Sequence, residues 1–279
     1  MRQLWISNSG QRRKGTRLDE MKDIFSSGIT AKNIEEPLYC CPTGMNAIDA
    51  KILLKIHAFD TVGIKETKDG PVLGYVNQSE LNNGQCIEHK HDLIIKDLIS
   101  NSTPLIDMLP YLKKYERVFV ITGNEVSGII TRADLQKPPV RVMIFGFITL
   151  FEMHMTHHIN QVFPKDSWNE HIVKKRIDKA KHIQILRKGR NEERDLLDCL
   201  QFCDKREIIF ASEKLMKIFG VGEDDIGKLE EIENLRNSLA HSQNIKSGVS
   251  WEQIIDSSIH AIQFIQNSEN HIDNSIKHT

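Results

Sequence analysis

The chain has 279 residues, enough for two domains, and its 39% hydrophobic content is too high for a disordered chain. Its formal net charge of -1 excludes a general polyanion binder, so any contact with a nucleic acid needs a local basic patch.

The first segment, residues 1–28, is predicted to be a basic N-terminal arm followed by a short helix. Its polar beginning carries a basic cluster, Arg12, Arg13, Lys14 and Arg17. We expect residues up to 17 to be loosely held, as chain ends often are. The short helix is predicted over 18–25.

An internal repeat follows over residues 29–139, with units of about 29–86 and 87–139. The segment 72–81 matches the segment 126–135. The aligned pairs are Gly74 and Gly128, Asn77 and Thr131, and Glu80 and Asp134. Each unit is predicted to contain a helix, a strand, a turn, a second strand and the start of another helix. The predicted helices span 47–58 and 105–115, and the strands that follow them span 61–65 and 117–122.

The end of the second unit carries a candidate ligand site. Thr131 is expected where a strand ends and a helix begins, so its hydroxyl and the nearby backbone N–H groups can meet a phosphate. Asp134, one turn later, can accept hydrogen bonds from ribose hydroxyls. The alternative is purely structural: Thr131 caps a helix, and Asp134 stabilises the helix dipole.

The segment Gly128-Ile-Ile-Thr-Arg-Ala-Asp134 resembles the nucleotide-binding segment of CBS domains, and the repeat resembles a CBS pair. The resemblance implies a regulatory adenine nucleotide, AMP-like or ATP-like, in the cleft between the two units. Asn77 and Glu80 are the corresponding nucleotide-binding candidates in the first unit. They replace the hydroxyl and the aspartate of the pattern, although Glu80 can still reach a ribose.

After Pro138 the strand patterns end and helical periodicity begins. We predict a helical domain over 140–270 and a frayed tail over 271–279. Its five helices are predicted over 141–162, 167–188, 192–219, 223–242 and 250–267. The most apolar run, 143–151, is far shorter than the roughly 20 residues of a membrane span, so we expect no membrane partner.

The fourth predicted helix carries Arg236, Asn237 and His241 beside a periodic apolar stripe. Asn237 and His241 are four residues apart and share a face, which the side chain of Arg236 can reach. A guanidinium can hold a phosphate, and an imidazole can transfer protons near neutral pH. With the RNA 2′-hydroxyl as nucleophile, cleavage of a phosphodiester needs no metal and no catalytic cofactor.

The phrase Leu235-Arg-Asn-Ser-Leu-Ala-His241 resembles the Arg-x4-His signature of HEPN ribonuclease domains, with a long helix over 195–219 before it. The resemblance implies a metal-independent endoribonuclease that works as a homodimer through this domain. Arg236 would bind phosphate, Asn237 would position it, and His241 would transfer the proton. The alternative is a non-catalytic regulator whose helical domain mediates dimerisation or partner binding. An RNA-binding or transcription factor is a third interpretation, for which we find no typical motif.

A basic stretch in the second predicted helix and the turn after it can guide an RNA backbone. Its candidate RNA-binding residues are Lys174, Lys175, Arg187 and Lys188. The alternative is a solvated helix face.

Two other clusters are predicted to be structural. His154 and His158 have a spacing that metal sites use, but no third ligand is evident, and apolar residues surround them. Cys199 and Cys203 lie among leucines and are expected to pack. The five cysteines are an odd number, and no secretory signal peptide is evident, so we expect reduced thiols and a cytoplasmic location.

The predicted fold class is therefore multidomain α+β: N-terminal tandem CBS-like α/β units followed by an all-α HEPN helical bundle. The helix that starts near Arg141 continues from the second CBS-like unit, so we expect it to transmit nucleotide binding to the ribonuclease. Systems of this design often serve in defence or stress responses.

Overall fold

The computed structural model describes residues 14–192, 194–240 and 250–277. The chain divides into two compact units. The α/β unit is Phe25–Pro139, and the helical unit combines Met1–Ile24 with Val140–Thr279.

The α/β unit contains both copies of the repeat. Helix α1 (Leu18–Gly28) leads into it. The first copy contains β2, α2, β3 and β4, and the second contains β5, α3, β6 and β7. In chain order the elements are β1 (Glu36–Pro37), β2 (Cys40–Pro42), α2 (Ala47–His57), β3 (Thr61–Lys65), β4 (Val72–Asn77), β5 (Leu98–Ser100), α3 (Leu105–Lys114), β6 (Arg117–Thr122) and β7 (Glu125–Thr131).

The two copies share one strand topology. In the first sheet β2 runs parallel to β3, and β3 runs antiparallel to β4. In the second sheet β5 runs parallel to β6, and β6 runs antiparallel to β7, with β1 added at the edge. The helix predicted after each second strand is only a short 3-10 turn, over Gln78–Glu80 and Arg132–Gln136.

The aligned glycines of the repeat lie where neighbouring backbone comes too close for a side chain. A Cβ atom on Gly74 would lie 2.3 Å from the carbonyl oxygen of His91. A Cβ atom on Gly128 would lie 3.0 Å from the carbonyl oxygen of Glu36, which belongs to the neighbouring strand β1. The repeat therefore preserves close backbone contacts at corresponding points of its two copies.

The helical unit confirms the predicted change of structure after Pro138. Its elements are α4 (Pro138–Val162), α5 (Lys174–Lys188), α6 (Phe202–Phe210), α7 (Glu213–Phe219), α8 (Ile226–Ala240) and α9 (Trp251–Lys277). With the two α/β copies before it, this unit confirms the predicted fold class of tandem α/β units followed by a helical region. None of the described helices is long and apolar enough to cross a membrane.

Two of the predicted helices differ most from the structure. The long helix predicted over 192–219 is instead a 3-10 turn, Leu196–Cys199, followed by α6 and α7. Polar side chains start each new helix: Asp204 accepts the N–H of Gln201, and Ser212 accepts the N–H of Leu215. The second predicted helix, over 167–188, begins only at Lys174 because a 3-10 segment precedes it.

The tail predicted to be frayed is instead helical, and the start of the predicted short helix packs against the same helix, α9. The tail predicted over 271–279 is helical as far as Lys277, and Ile272 is buried. Leu18 is fully buried, and its N–H donates to Glu269 Oε1 on α9 at 3.0 Å. The start of α1 therefore packs into the helical unit, while Arg12 and Arg13 of the predicted arm lie outside the described residues.

Candidate functional site

A cleft of about 290 Å³ opens in the α/β unit and receives residues from both copies of the repeat. The first copy and the segment before it contribute Glu36, Tyr39, Phe59, Asp60 and Thr61; the second contributes Glu116, Arg117, Ile129, Thr131 and Asp134. Thr131 and Asp134, which the sequence analysis selected, therefore both line it.

The topology of the repeat explains why these residues meet. Each turn from helix to strand lies beside the end of the following antiparallel strand, since Thr61 pairs with Asn77 and Arg117 pairs with Thr131. Ala58 ends α2 in a left-handed conformation with φ of 54°. The chain then turns so that the N–H of Phe59 donates to the carbonyl oxygen of Leu54 at 2.8 Å.

The carboxylate of Asp134 holds the turn that carries it. Its Oδ2 accepts the N–H of Thr131 at 2.7 Å and the hydroxyl of Thr131 at 3.1 Å. Its Oδ1 lies 2.9 Å from Lys137 Nζ, and the residue is only 7% exposed. The turn is thus closed by Asp134 accepting from Thr131, rather than by Thr131 accepting a backbone N–H as in the capping alternative, and the Thr131 donors expected to face a phosphate contact a carboxylate.

Lys137 links this turn to strand β1. Its ammonium group contacts Glu36 and donates to the carbonyl oxygen of Ile34 at 2.6 Å. Burial lowers the pKa of Lys137, but hydrogen bonds to Glu36 and Asp134 outweigh burial and raise the pKa above its usual value. Lys137 therefore keeps its positive charge between the two carboxylates at neutral pH.

The corresponding residues of the first copy, Asn77 and Glu80, are not among the described residues that line this cleft. Asn77 Oδ1 accepts from Arg117 Nη2 at 2.7 Å, and Asn77 Nδ2 donates to Glu80 Oε1 at 3.1 Å. His91 Nε2 lies 2.6 Å from Glu80 Oε2. Hydrogen bonds from His91 and then from Asn77 lower the pKa of Glu80. The polar groups of this pair thus bind other side chains of the unit.

Two aromatic rings at the cleft were missed by sequence reasoning. Tyr39 is 43% exposed, Phe59 is 38% exposed, and their ring centroids are 5.8 Å apart. His57 stacks on Phe59 with its ring centroid at 5.6 Å. Exposed aromatic rings beside hydrogen-bonding groups suit a flat heterocyclic ligand. The only sequence signal was the position of Phe59 just before the strand predicted over 61–65, and no strand was predicted beside Tyr39.

A second candidate site lies on α8 of the helical unit. Its buried stripe, Leu229, Ile232, Leu235 and Leu239, fixes which face points outward. Arg236 is half-buried, Asn237 is exposed, and Arg236 Nη1 donates to Asn237 Oδ1 at 3.2 Å. His241 lies outside the described residues.

Glu152 on α4 connects Arg236 to a buried lysine. Glu152 Oε2 lies 3.6 Å from Arg236 Nη2, and Glu152 Oε1 accepts from Lys205 Nζ at 2.9 Å. Lys205 is only 4% exposed, and its ion pair with this carboxylate lies inside the helical unit. Neither Glu152 nor Lys205 was selected from the sequence, because these contacts join three separate helices.

Helix α5 carries the predicted RNA-binding residues. Lys174, Lys175 and Lys188 are exposed, and Arg187 is half-buried. On the same helix Arg176 instead forms ion pairs with Asp204 at 3.0 Å and Glu207 at 2.6 Å. The four predicted residues are thus placed at the surface, where a phosphate backbone can reach them.

The histidines of α4 pack inside the helical unit. His154 and His158 are fully buried, and Ser268 Oγ lies 2.5 Å from His154 Nδ1 and 2.8 Å from His158 Nε2. Among the described residues, no group of three potential ligands could hold a metal ion. Burial also raises the pKa of Cys199 and of Cys203, which makes both thiols poor nucleophiles.

No family model matches the chain, and no curated protein matches it. Several solved structures of CBS-domain proteins are similar to part of it. The structure of CBSX2 in complex with AMP is 17% identical and covers 41% of this chain and 98% of that chain, with a TM-score of 0.36. The CBS domain of the bacterial CNNM/CorC family Mg2+ transporter in complex with ATP is 14% identical and covers 44% and 95%, with a TM-score of 0.35.

A hemolysin-like protein containing a CBS domain from Oenococcus oeni is 13% identical and covers 43% of this chain and 95% of that chain, with a TM-score of 0.33. These three structures are matched over most of their own length but over less than half of this chain.

Proposed function

We propose that the α/β unit binds a regulatory adenosine-type nucleotide in the cleft beside Thr131 and Asp134. The observation that carries this proposal is the combination, in one cleft, of two exposed rings with the residues of the predicted nucleotide segment. Phe59 stacks on the base, with the Tyr39 ring beside it. Oδ2 of Asp134 already accepts two hydrogen bonds from Thr131, so Oδ1, which pairs with Lys137, accepts a ribose hydroxyl with its second lone pair.

Calorimetric titration of the full chain with AMP tests this proposal. Stacking of a base on an aromatic ring contributes about 1–3 kcal/mol, so Phe59→Ala weakens binding by about tenfold or more. Ile95→Ala, an exposed apolar residue of the same unit outside the cleft lining, is the control and leaves the affinity unchanged. Equal affinities of the wild type and Phe59→Ala would contradict this site.

We propose further that the helical unit is a metal-independent endoribonuclease that acts as a homodimer through this unit. The proposal is supported by the Arg-x4-His phrase and by the placement of Arg236 and Asn237 on the outward side of α8. The guanidinium of Arg236 binds the scissile phosphate and stabilises its transition-state charge. Asn237 positions the phosphate, and His241 transfers the proton. Lys174, Lys175, Arg187 and Lys188 guide the RNA backbone.

Incubation of the full chain with end-labelled RNA in EDTA tests this second proposal. Cleavage is expected in the wild type and in Asn234→Ala, which removes an exposed amide from the same helix. Cleavage is lost in Arg236→Ala and His241→Ala. Absence of cleavage in the wild type, together with intact nucleotide binding, would instead favour a non-catalytic regulator whose helical unit dimerises or binds a partner.

A further inference from the structure

The charges around the cleft are unevenly distributed. Among the described residues that line it, four carry carboxylates and only Arg117 carries a cationic group. The carboxylates are Glu36, Asp60, Glu116 and Asp134. Lys137 offsets part of this charge through its contacts with Glu36 and Asp134. Asp60 and Glu116 are exposed at the cleft, and no ion pair of the described residues neutralises them.

The single lining cation is anchored to the first copy of the repeat. Arg117 Nη2 donates to Asn77 Oδ1 at 2.7 Å, and the guanidinium carbon lies 5.0 Å from the centroid of the Tyr75 ring. An arginine held by a hydrogen bond and a cation–π contact is less free to follow a chain of phosphates.

The backbone and hydroxyl donors of Thr131 are also engaged. Both donate to Asp134 Oδ2, so a carboxylate already occupies the acceptor position that a phosphate would take. A phosphate at this point would displace that carboxylate or lie against it, and like charges at such distances repel. The volume of about 290 Å³ is at the lower end of the roughly 300–1,000 Å³ typical of ligand pockets.

These observations lead us to infer that the cleft selects an adenosine-type ligand carrying at most one phosphate and disfavours nucleoside di- and triphosphates. The inference rests on the nucleotide-binding function proposed above and names its ligand class. Asp60 and Glu116 determine the specificity: they leave the base and ribose contacts unaffected but repel each added phosphate. The sensor thus responds to nucleosides or monophosphates in the presence of an excess of triphosphate.

Calorimetric titrations of the full chain with adenosine, AMP, ADP and ATP in EDTA test the inference. We expect adenosine and AMP to bind at least about tenfold more tightly than ATP. ATP binding as tightly as AMP, or more tightly, would overturn the inference while leaving the proposed nucleotide function intact. Failure of all four ligands to bind would overturn both.

A gain of affinity gives a test that misfolding cannot imitate. The double variant Asp60→Asn with Glu116→Gln removes two negative charges and is expected to raise the affinity for ATP by about tenfold, while the adenosine affinity changes less than about twofold. Glu125→Gln, an exposed carboxylate of the same unit outside the cleft lining, is the matched control and changes neither. An equal change for adenosine and ATP in the double variant would contradict charge selection.

Discussion

Glu152 is the residue whose contacts join the proposed cleavage site to the interior of the helical unit. One of its oxygens pairs with buried Lys205, and the other faces Arg236. Its charge thus holds a guanidinium that would otherwise sample several directions. Neither contact could be predicted from the sequence, since Glu152, Lys205 and Arg236 lie far apart in the chain and meet only when α4, α6 and α8 pack together.

Glu152→Gln is expected to lower kcat/KM for RNA cleavage by about tenfold, because a neutral amide holds Arg236 less firmly. Lys205→Met separates this effect from a loss of stability: it removes the buried charge but leaves the pairing of Glu152 with Arg236. The urea midpoint of unfolding of Lys205→Met should differ from that of the wild type, while its cleavage rate should equal the wild-type rate. If both variants lose activity in proportion to stability, Glu152 has no positioning role.

The thiol of Cys41 is expected to be inert in the folded chain. Burial, followed by the nearby Cys86 and Cys40, raises the pKa of Cys41 to about 11. At pH 8 only about one thiol in a thousand is then ionised, and the residue is 1% exposed. Mass spectrometry after iodoacetamide treatment should find Cys41 alkylated in urea but not in buffer. Native labelling as fast as that of glutathione would contradict this environment.

The carboxyl group of Glu80 should titrate below the ordinary range of glutamate. The hydrogen bond from His91 is the main cause, so His91→Ala is expected to return the pKa of Glu80 toward its usual value. Because the folded-state pKa is lowered, this contact stabilises the fold above the unfolded-state pKa and is lost as the pH falls through the folded-state pKa. NMR titration of the side-chain carboxyl carbon measures the pKa of Glu80 in the wild type and in His91→Ala. An unchanged pKa in the variant would exclude His91 as the cause.

At the scale of elements, the repeat was well predicted because its physical signals are local. Short runs rich in apolar residues predicted β3 and β6, and the structure has both at the predicted bounds, Thr61–Lys65 and Arg117–Thr122. The break between α6 and α7 was missed because apolar periodicity continues across it, while Ser212 caps a new helix.

Thr131 and Asp134 could be selected from a short segment. Tyr39 and Phe59 could not, because they reach the cleft only through pairing of distant strands.

Glycine at position 74 is a strict requirement of this repeat. Gly74→Ala places a Cβ atom 2.3 Å from a backbone oxygen, so strands must shift, and we expect a loss of about 1–3 kcal/mol in the free energy of unfolding. Gly44→Ala is the control, since a Cβ atom at Gly44 meets nothing within 4 Å. Urea denaturation followed by circular dichroism compares the two. Equal stability of both variants would show that the backbone of His91 does not stay this close to residue 74.

At the scale of the whole molecule, helix α4 begins at Pro138, directly after the 3-10 turn that carries Asp134, and continues into the helical unit. In the proposed regulation, this continuous helix is the covalent route by which a ligand in the cleft influences α8. Regulation requires the ligand to bind the active and inactive states with different affinity, and the coupling is reciprocal. RNA bound to the helical unit should therefore change the affinity of the α/β unit for its nucleotide.

The most direct test of nucleotide-regulated cleavage is the initial rate of RNA cleavage in EDTA, measured over a range of AMP concentrations. We predict that the rate changes with AMP and that its midpoint agrees with the dissociation constant from calorimetry. In Phe59→Ala the midpoint should move to higher AMP by the same factor as the dissociation constant, while the rates at zero and at saturating AMP are unchanged. A cleavage rate that stays constant across the AMP range, although calorimetry shows the cleft filling, would contradict a sensor that controls a nuclease.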